Sequence, residues 1–133
     1  METKNYLQTY ANHSTNIYIY EQEINAAQKE LKRLPECPPQ DIAHRAEYKL
    51  IRQLHKHIKE CSQREAEARQ ACERIEAIIN SVEDPRQRSI LQMRYIKQPP
   101  ATWESIAEKL NYTFEHCHKL HRQALKNINT EAQ

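Results

Sequence analysis

The chain has 133 residues, of which 38% are hydrophobic and 29% charged, with no glycine and a net charge of +2 at neutral pH. Without glycine it has neither a phosphate-binding P-loop nor the glycine fingerprint of dinucleotide-binding enzymes, which excludes those enzyme classes. The low apolar share and the abundance of charged helix-forming residues favour long, partly exposed helices, so we predict an all-α protein.

The positive charge is concentrated in the C-terminal part of the chain. Residues 84–133 carry 8 Lys and Arg against 5 Asp and Glu, whereas residues 1–83 carry 12 against 13. Three of the seven histidines, His116, His118 and His121, also lie in the basic part. They would add positive charge below about pH 6.5. The overall charge is too small to indicate a nucleic-acid binder by itself.

The start of the chain, METKNYLQTY, lacks the basic stretch and apolar core of a signal peptide. No run approaches the roughly 20 apolar residues that cross a bilayer. The cysteines are widely spaced and form no C-x-x-C pair, so neither a zinc ribbon nor a disulfide framework is indicated. We therefore expect a soluble cytoplasmic protein with reduced thiols and no membrane partner.

A first helix is predicted to begin at Ser14 or Thr15, either of which could act as its N-cap, and to end before Pro35. Its apolar residues recur at alternating spacings of three and four, which gives a narrow stripe suited to packing against one other helix. The stripe consists of Ile17, Tyr20, Ile24, Ala27, Leu31 and Leu34. The chain is expected to turn back over residues 35–39.

A second, much longer helix is predicted from Asp41 to Val82, because no proline interrupts this range. At about 40 residues it would be roughly 60 Å long and could not bury its apolar seam alone. It must pack on the first helix, on a second copy of the chain in a homodimer, or on both, and the sequence leaves these alternatives open. Residues 1–83 are thus predicted to form a coiled-coil-like helical hairpin, and its seam is also a candidate dimerisation region. The seam consists of Leu54, Ile58, Cys61, Ala68, Cys72, Ile75, Ile79 and Val82, interrupted only by Glu65.

A third helix is predicted from Asp84 to about Ile96. Asp84 is a good N-cap, Pro85 suits the first helical position, and Gln87 would complete a capping box. Its buried side should carry Ile90, Leu91 and Tyr95. A short stiff connector, with Pro99 and Pro100, follows over residues 97–101.

Two further helices with the features of a helix-turn-helix motif are predicted after this connector. Thr102 would cap a helix from Trp103 to Leu110, and Thr113 would cap one from Phe114 to about Ile128. The motif needs a small residue at the close approach and a turn residue that tolerates positive φ. Ala107 and Asn111 meet these needs. The closing core is predicted to contain Ile106, Leu110, Tyr112, Cys117 and Leu120.

The stretches RSILQMRYI, TWESIAEKLNYT and HKLHRQALKNI resemble the fourth region of bacterial RNA polymerase sigma factors, over residues 84–128. The resemblance is closest to small phage-encoded regulators that carry this region behind a helical N-terminal part. It implies a C-terminal three-helix helix-turn-helix module over residues 84–133. In this family the second helix of the motif lies in the DNA major groove.

The resemblance also implies which side chains face DNA. Glu115 would accept a hydrogen bond from a cytosine amino group, while His118 and Lys119 would donate to guanine or phosphate. Arg122 and Lys126 are expected to contact phosphates. The full set of expected DNA-binding residues is Thr102, Trp103, Thr113, Phe114, Glu115, His118, Lys119, Arg122 and Lys126.

Three of these residues have additional or alternative roles. Thr102 and Trp103 match positions that contact backbone phosphate, and the Trp103 ring is also expected to pack on the third helix. Phe114 stands where the family usually has a polar or basic residue. Its ring would contact a thymine methyl or fold back as a hydrophobic staple, so the promoter preference of other family members cannot be transferred.

The six residues 116–121, HCHKLH, also raise the question of a metal site. Cys117 and His121 share one helix face, but structural zinc takes four ligands and the motif needs Cys117 in its core. We therefore expect no metal here, with His116 and His121 at the edge of the buried face. His55 and His57 point away from each other on a helix and are interpreted as a solvated face.

The leading hypothesis is a sequence-specific DNA-binding transcriptional regulator of phage or prophage genes, with double-stranded DNA as its partner and no cofactor. Family members also dock on RNA polymerase, so polymerase contact is a further expectation. No catalytic spacing appears, and we do not expect an enzyme. Two alternatives stay open: the small subunit of a phage terminase, and a helical protein-binding adaptor. If the three C-terminal histidines charge, DNA affinity should rise between about pH 7.5 and 6.

Overall fold

A computed structural model describes residues 3–35 and 45–132. In these ranges every regular element is a helix and there is no strand, which confirms the all-α prediction. None of the helices found there is long and apolar enough to span a lipid bilayer. The elements are α1 (Thr3–Arg33), α2 (Arg45–Asn80), α3 (Pro85–Leu91), a π-helical turn (Gln92–Ile96), α4 (Trp103–Leu110) and α5 (Phe114–Ala132).

The chain divides into two compact units. Ser14–Arg69 form the first, which we call the hairpin unit, and Met1–His13 with Gln70–Gln133 form the second, the helix-turn-helix unit. Both α1 and α2 contribute residues to each unit. A domain limit between residues 83 and 84 stays a prediction.

In the hairpin unit α1 and α2 run antiparallel. Glu21 forms an ion pair with Arg69 at 3.3 Å, and the Cys61 thiol donates to the Glu23 carboxylate at 3.6 Å. As the residue number rises along α1, that of its partner on α2 falls, as an antiparallel hairpin requires. Glu65, the polar interruption of the seam, is half-buried and pairs with Arg69 at 3.2 Å. The predicted helical hairpin is therefore confirmed.

The predicted start of the first helix is wrong. Helix α1 begins at Thr3, so Ser14 and Thr15 lie inside it and cap nothing. The apolar stripe begins earlier, because Leu7 is fully buried and Tyr10 is buried with its hydroxyl donating to Glu76 at 2.6 Å. Ser14 occupies the next position of the same stripe, where a residue type that is common at helix starts lies inside the helix.

The other predicted limits of the long helices are close to those observed. Helix α1 ends at Arg33, two residues before Pro35, as expected from the proline. Helix α2 is described from Arg45, and the predicted start at Asp41 lies outside the described residues. It ends at Asn80, slightly before the predicted limit. The buried members of its predicted seam are Cys61, Ala68, Cys72, Ile75, Ile79 and Val82.

The third helix follows its prediction in position but not in every detail. Asp84 caps α3 by accepting from the backbone amide of Arg86 at 2.9 Å. The Gln87 side chain does not complete a capping box; it is buried and accepts from the Asn127 amide at 3.0 Å. A hydrogen bond between the Gln87 side chain and α5 therefore takes the place of the predicted capping-box hydrogen bond. After Leu91 the helix widens into the π-helical turn, where the Lys97 amide donates to the Gln92 carbonyl at 2.9 Å.

Candidate nucleic-acid interface

The turn between α4 and α5 is built as the sequence predicts. Thr102 caps α4 by accepting from the Ser105 amide at 3.1 Å, and Thr113 accepts from the His116 amide at 3.1 Å. Asn111 ends α4 in the left-handed region, with φ 59° and ψ 42°. This conformation is tolerated by Asn better than by most non-glycine residues, which explains how a chain without glycine makes the turn.

A closed apolar core fixes the angle between α4 and α5. Every core residue predicted for the motif belongs to it, and α3, the π-helical turn and the connector contribute additional members. Its buried residues are Ile90, Ala101, Ile106, Cys117 and Leu120, and the partly buried residues against them are Met93, Trp103, Ala107, Leu110 and Tyr112. Because α3, α4 and α5 share this core, α5 is held in a fixed position.

Helix α5 separates its residues cleanly into two faces. The inner face, predicted as its core face, is buried throughout and consists of Cys117, Leu120, Ala124 and Ile128. On the outer side are four exposed charged residues, namely Glu115, Lys119, Arg122 and Lys126. Three cations and one carboxylate near the N-terminus of the helix give this face a net positive charge. The geometry thus supplies a rigid helix with a charged, solvent-facing surface.

His118 lies differently from those four residues. Its ring packs between Trp103 and Phe114, with centroid distances of 4.2 Å and 4.4 Å. The Nε2 atom is buried and has no hydrogen-bond partner among the described residues. His118 therefore lies beside the charged surface under an aromatic cover, and its expected contact with DNA stays a prediction.

Residues 84–129 match the family described as sigma-70, region 4. This segment is a sigma region-four-like helix-turn-helix domain. No curated protein and no solved structure matches the chain. The region-four domain, as we call residues 84–129, belongs to a class of DNA-binding rather than enzymatic domains. The match confirms the resemblance inferred from the sequence and leaves the hairpin unit outside it.

His121 corrects one prediction about the region-four domain. It is buried, with 6% of its surface exposed, rather than at the edge of the core. Its Nε2 lies 2.7 Å from the Tyr95 hydroxyl in a hydrogen bond, and Trp103 contacts it edge-on at 4.9 Å. Burial, reinforced by the positive charge of Lys4, lowers the pKa of His121 to about 4. His121 therefore cannot contribute to the predicted rise of DNA affinity between about pH 7.5 and 6.

His116 does lie at the edge of the core. It is half-buried, and its ring contacts Tyr112 edge-on at 4.8 Å. Within the histidine-rich stretch, the core position of Cys117 and Leu120 and the edge position of His116 are as predicted, whereas His121 is buried and His118 is covered by aromatic rings.

Trp103 links three parts of the region-four domain. Its ring contacts His118 and His121 of α5, and the Arg94 guanidinium lies 5.0 Å from its centre. Arg94 also donates to the Ala101 carbonyl at 2.9 Å. The ring therefore packs on the predicted third helix, through Arg94 of its π-helical turn and the core that contains Ile90, and also on α5. Contact between Trp103 and a DNA phosphate stays a prediction.

The cysteine of the histidine-rich stretch is part of the core, as the motif requires. Cys117 is fully buried, and burial raises the pKa of its thiol. The sequence interpretation missed a different group of potential ligands in the hairpin unit. There Glu23, His57 and Cys61 place their ligand atoms within 4.8 Å of one another. The spacing of four between His57 and Cys61 was visible in the sequence, but the approach of Glu23 depends on the register of the hairpin.

Proposed function

We propose that this protein is a sequence-specific DNA-binding transcriptional regulator of phage or prophage genes, with α5 as its recognition helix. The observation that carries the proposal is the division of α5 into a buried apolar face and an exposed charged face within a region-four domain. A helix held in this way presents its outer side chains to the major groove without rearrangement. The phage or prophage origin is supported by the sequence resemblance alone.

On the exposed face, the residues divide by their chemistry. Glu115 lies in the first turn of α5, where a recognition helix meets base edges, and its carboxylate accepts from a cytosine amino group. Lys119, one turn further, donates to guanine or to phosphate. Arg122 and Lys126 lie towards the C-terminal half and bind phosphates, which fixes the position of the helix on the duplex.

At the N-terminal ends of α4 and α5 the expected contacts are with the DNA backbone and with an apolar base edge. Thr102 and Trp103 begin α4, and Thr113 caps α5, so their free amides and hydroxyls suit a phosphate. Phe114 is half exposed and covers His118. Its exposed surface suits a thymine methyl, and displacement of its ring would release the His118 Nε2 atom for a hydrogen bond.

We further propose that the region-four domain contacts RNA polymerase and that the hairpin unit forms a homodimer. Polymerase contact is supported by the family, whose domains in some cases bind it. Dimerisation is supported by the two exposed apolar side chains Tyr18 and Ile19 on α1. A dimer would place two recognition helices about 34 Å apart and favour an inverted repeat. Analytical ultracentrifugation of the full chain tests this, and a monomer at micromolar concentration would exclude the inverted repeat.

Selection of duplexes from a random DNA library tests the central proposal. The full chain should enrich one sequence motif over several rounds. Failure to enrich any sequence, together with no DNA binding at low salt, would favour a protein-binding adaptor instead. Enrichment accompanied by a closed ring of many subunits would favour the terminase small subunit.

The same selection with Glu115→Gln tests the assignment of the recognition helix. The variant keeps the size of the side chain but replaces a pure acceptor with an amide, which pairs well with adenine. The preferred base should therefore change at one position and stay the same at the others. Lys29→Ala, an exposed cation on α1, serves as a control that should leave the motif unchanged. An unchanged motif for Glu115→Gln would remove Glu115 from base contact.

A further inference from the structure

Three side chains of the hairpin unit converge from two helices. His57 and Cys61 lie one turn apart on α2, and Glu23 approaches them from α1. The Cys61 sulfur lies 3.5 Å from the His57 Nε2 atom and 3.6 Å from a Glu23 carboxylate oxygen. Cys61 is buried, whereas His57 and Glu23 are exposed and can adjust. The group combines a sulfur, a nitrogen and an oxygen ligand.

The distances agree with tetrahedral coordination of a small cation. With Zn–S bonds of about 2.3 Å and Zn–N or Zn–O bonds of about 2.0–2.1 Å, tetrahedral angles place sulfur about 3.5 Å from the other two ligand atoms. Both sulfur distances in the hairpin unit are within about 0.1 Å of this value. The third pair, between His57 and Glu23, is no more than 4.8 Å apart and closes by rotation of two exposed side chains.

We propose that Glu23, His57 and Cys61 bind a zinc ion that joins α1 to α2. Thiolate and imidazole together favour zinc over magnesium or calcium, which prefer oxygen ligands alone. Three protein ligands leave a fourth position for water or for one additional ligand. Because these residues lie outside the region-four domain, the proposal does not depend on the DNA-binding function.

Binding would change the charge of the site in a favourable way. Cys61 must lose its proton to solvent, and His57 must be neutral. A divalent cation balances the thiolate and the carboxylate together, so the group becomes neutral when the metal binds.

Titration of the reduced, metal-free full chain with Co²⁺ tests the site. Cobalt substitutes for zinc in tetrahedral sites, and a cysteine ligand gives a thiolate-to-cobalt charge-transfer absorption. We expect this absorption to saturate at one Co²⁺ per chain and to disappear when Zn²⁺ displaces the cobalt. Absence of the band in the wild-type chain would overturn the proposal.

Variants identify the ligands. Cys61→Ser should abolish the charge-transfer band, and His57→Gln and Glu23→Gln should each weaken zinc binding by more than about tenfold, since each removes one of three ligands. His55→Gln and Cys72→Ser are matched controls on the same helix and should bind as the wild type does. Persistence of the band in Cys61→Ser, or equal weakening by His55→Gln, would show that another site binds the metal.

Substitutions at the two exposed ligands, His57 and Glu23, separate a loss of metal binding from a loss of folding. Cys61 is buried, so its replacement could alter the hairpin, but His57 and Glu23 face solvent and their replacement by Gln should leave the helical circular dichroism unchanged. Zinc should also raise the melting temperature of the wild-type chain and leave that of His57→Gln unchanged. An equal rise in both proteins would contradict the assignment of His57 as a ligand.

Discussion

The hairpin unit and the helix-turn-helix unit bury their apolar residues in different ways. In the helix-turn-helix unit, short helices with different directions enclose Ile106 and Cys117 completely. In the hairpin unit two antiparallel helices share one seam, where Leu54 and Ile58 stay half-exposed. The residues of that unit that the structure describes as buried are the small side chains Ala27, Cys61 and Ala68.

The two units should therefore differ in how much a shortened side chain destabilises them. A side chain enclosed on all sides leaves a cavity when it is shortened, whereas a half-exposed one is replaced by water. The closed core of the region-four domain therefore holds the exposed charged face of α5 in a fixed position. The hairpin unit has fewer buried side chains among its described residues, so a metal ion or a second chain bound there would add proportionally more to its stability.

The largest expected effect is from a cavity in the helix-turn-helix core. Ile106→Ala should lower the free energy of unfolding of the region-four domain by about 2–5 kcal/mol, because Ile106 is fully buried. Leu54→Ala, in the half-exposed seam, should cost less than about 2 kcal/mol. Urea titrations followed by the fluorescence of Trp103, the sole tryptophan, report on the region-four domain, and circular dichroism reports on all helices. Equal losses for both variants would contradict the comparison.

Acidification should destabilise the helix-turn-helix unit through His121. Its pKa is about 4 in the folded chain and about 6.5 in the unfolded chain, so protons bind preferentially to the unfolded chain. The contribution of neutral His121 is fully present above about pH 6.5, is lost progressively as the pH falls to about 4, and totals roughly 3 kcal/mol. Thermal unfolding of wild type and His121→Gln across this range measures it. His55→Gln, an exposed histidine, should retain the wild-type pH dependence.

A smaller effect distinguishes a real helix cap from a residue that only resembles one. Thr113→Ala should cost about 1 kcal/mol, because it removes the bond from the His116 amide at the start of α5. Thr15→Ala should cost nothing or stabilise slightly, because Thr15 lies inside α1 and Ala is the better helix former. Denaturant titration of the two variants measures both changes. A loss of stability for Thr15→Ala equal to that for Thr113→Ala would place a cap in the middle of α1.

The smallest effect on stability is expected for Phe114. Half of the Phe114 surface is exposed. The substitution Phe114→Ala should therefore change the free energy of unfolding by less than about 1 kcal/mol. If its ring contacts a thymine methyl, the same change should weaken binding to the selected duplex by roughly fivefold, or about 1 kcal/mol. Fluorescence anisotropy of a labelled duplex measures this. Unchanged affinity would mean that Phe114 packs on His118 but does not contact DNA.

Much of the fold could be predicted from the sequence where periodic spacing and caps agree. The limits of α4, the left-handed Asn111 and the buried face of α5 follow from local patterns that tertiary contacts reinforce. The start of α1 and the bond of Gln87 were predicted wrongly, because both depend on partners far along the chain, Glu76 and Asn127. Local rules cannot supply such partners.

The candidate sites show the same limit. The charged residues of α5 were found from helical spacing, but the enclosure of His118 and His121 depends on Trp103 and Tyr95, which reach them from other elements. Likewise, His57 and Cys61 share a face of α2 by spacing alone, whereas Glu23 joins them only in the observed register of the hairpin.

The salt dependence of DNA binding tests the assignment of α5 most directly. We expect the double variant Lys119→Ala and Arg122→Ala to bind the selected duplex more weakly than the wild type. The slope of log K against log salt should become shallower, by about two if both cations contact phosphates and by about one if Lys119 contacts guanine. Lys29→Ala should keep the wild-type affinity and slope. If the double variant also keeps both, the exposed face of α5 is not the surface that binds DNA.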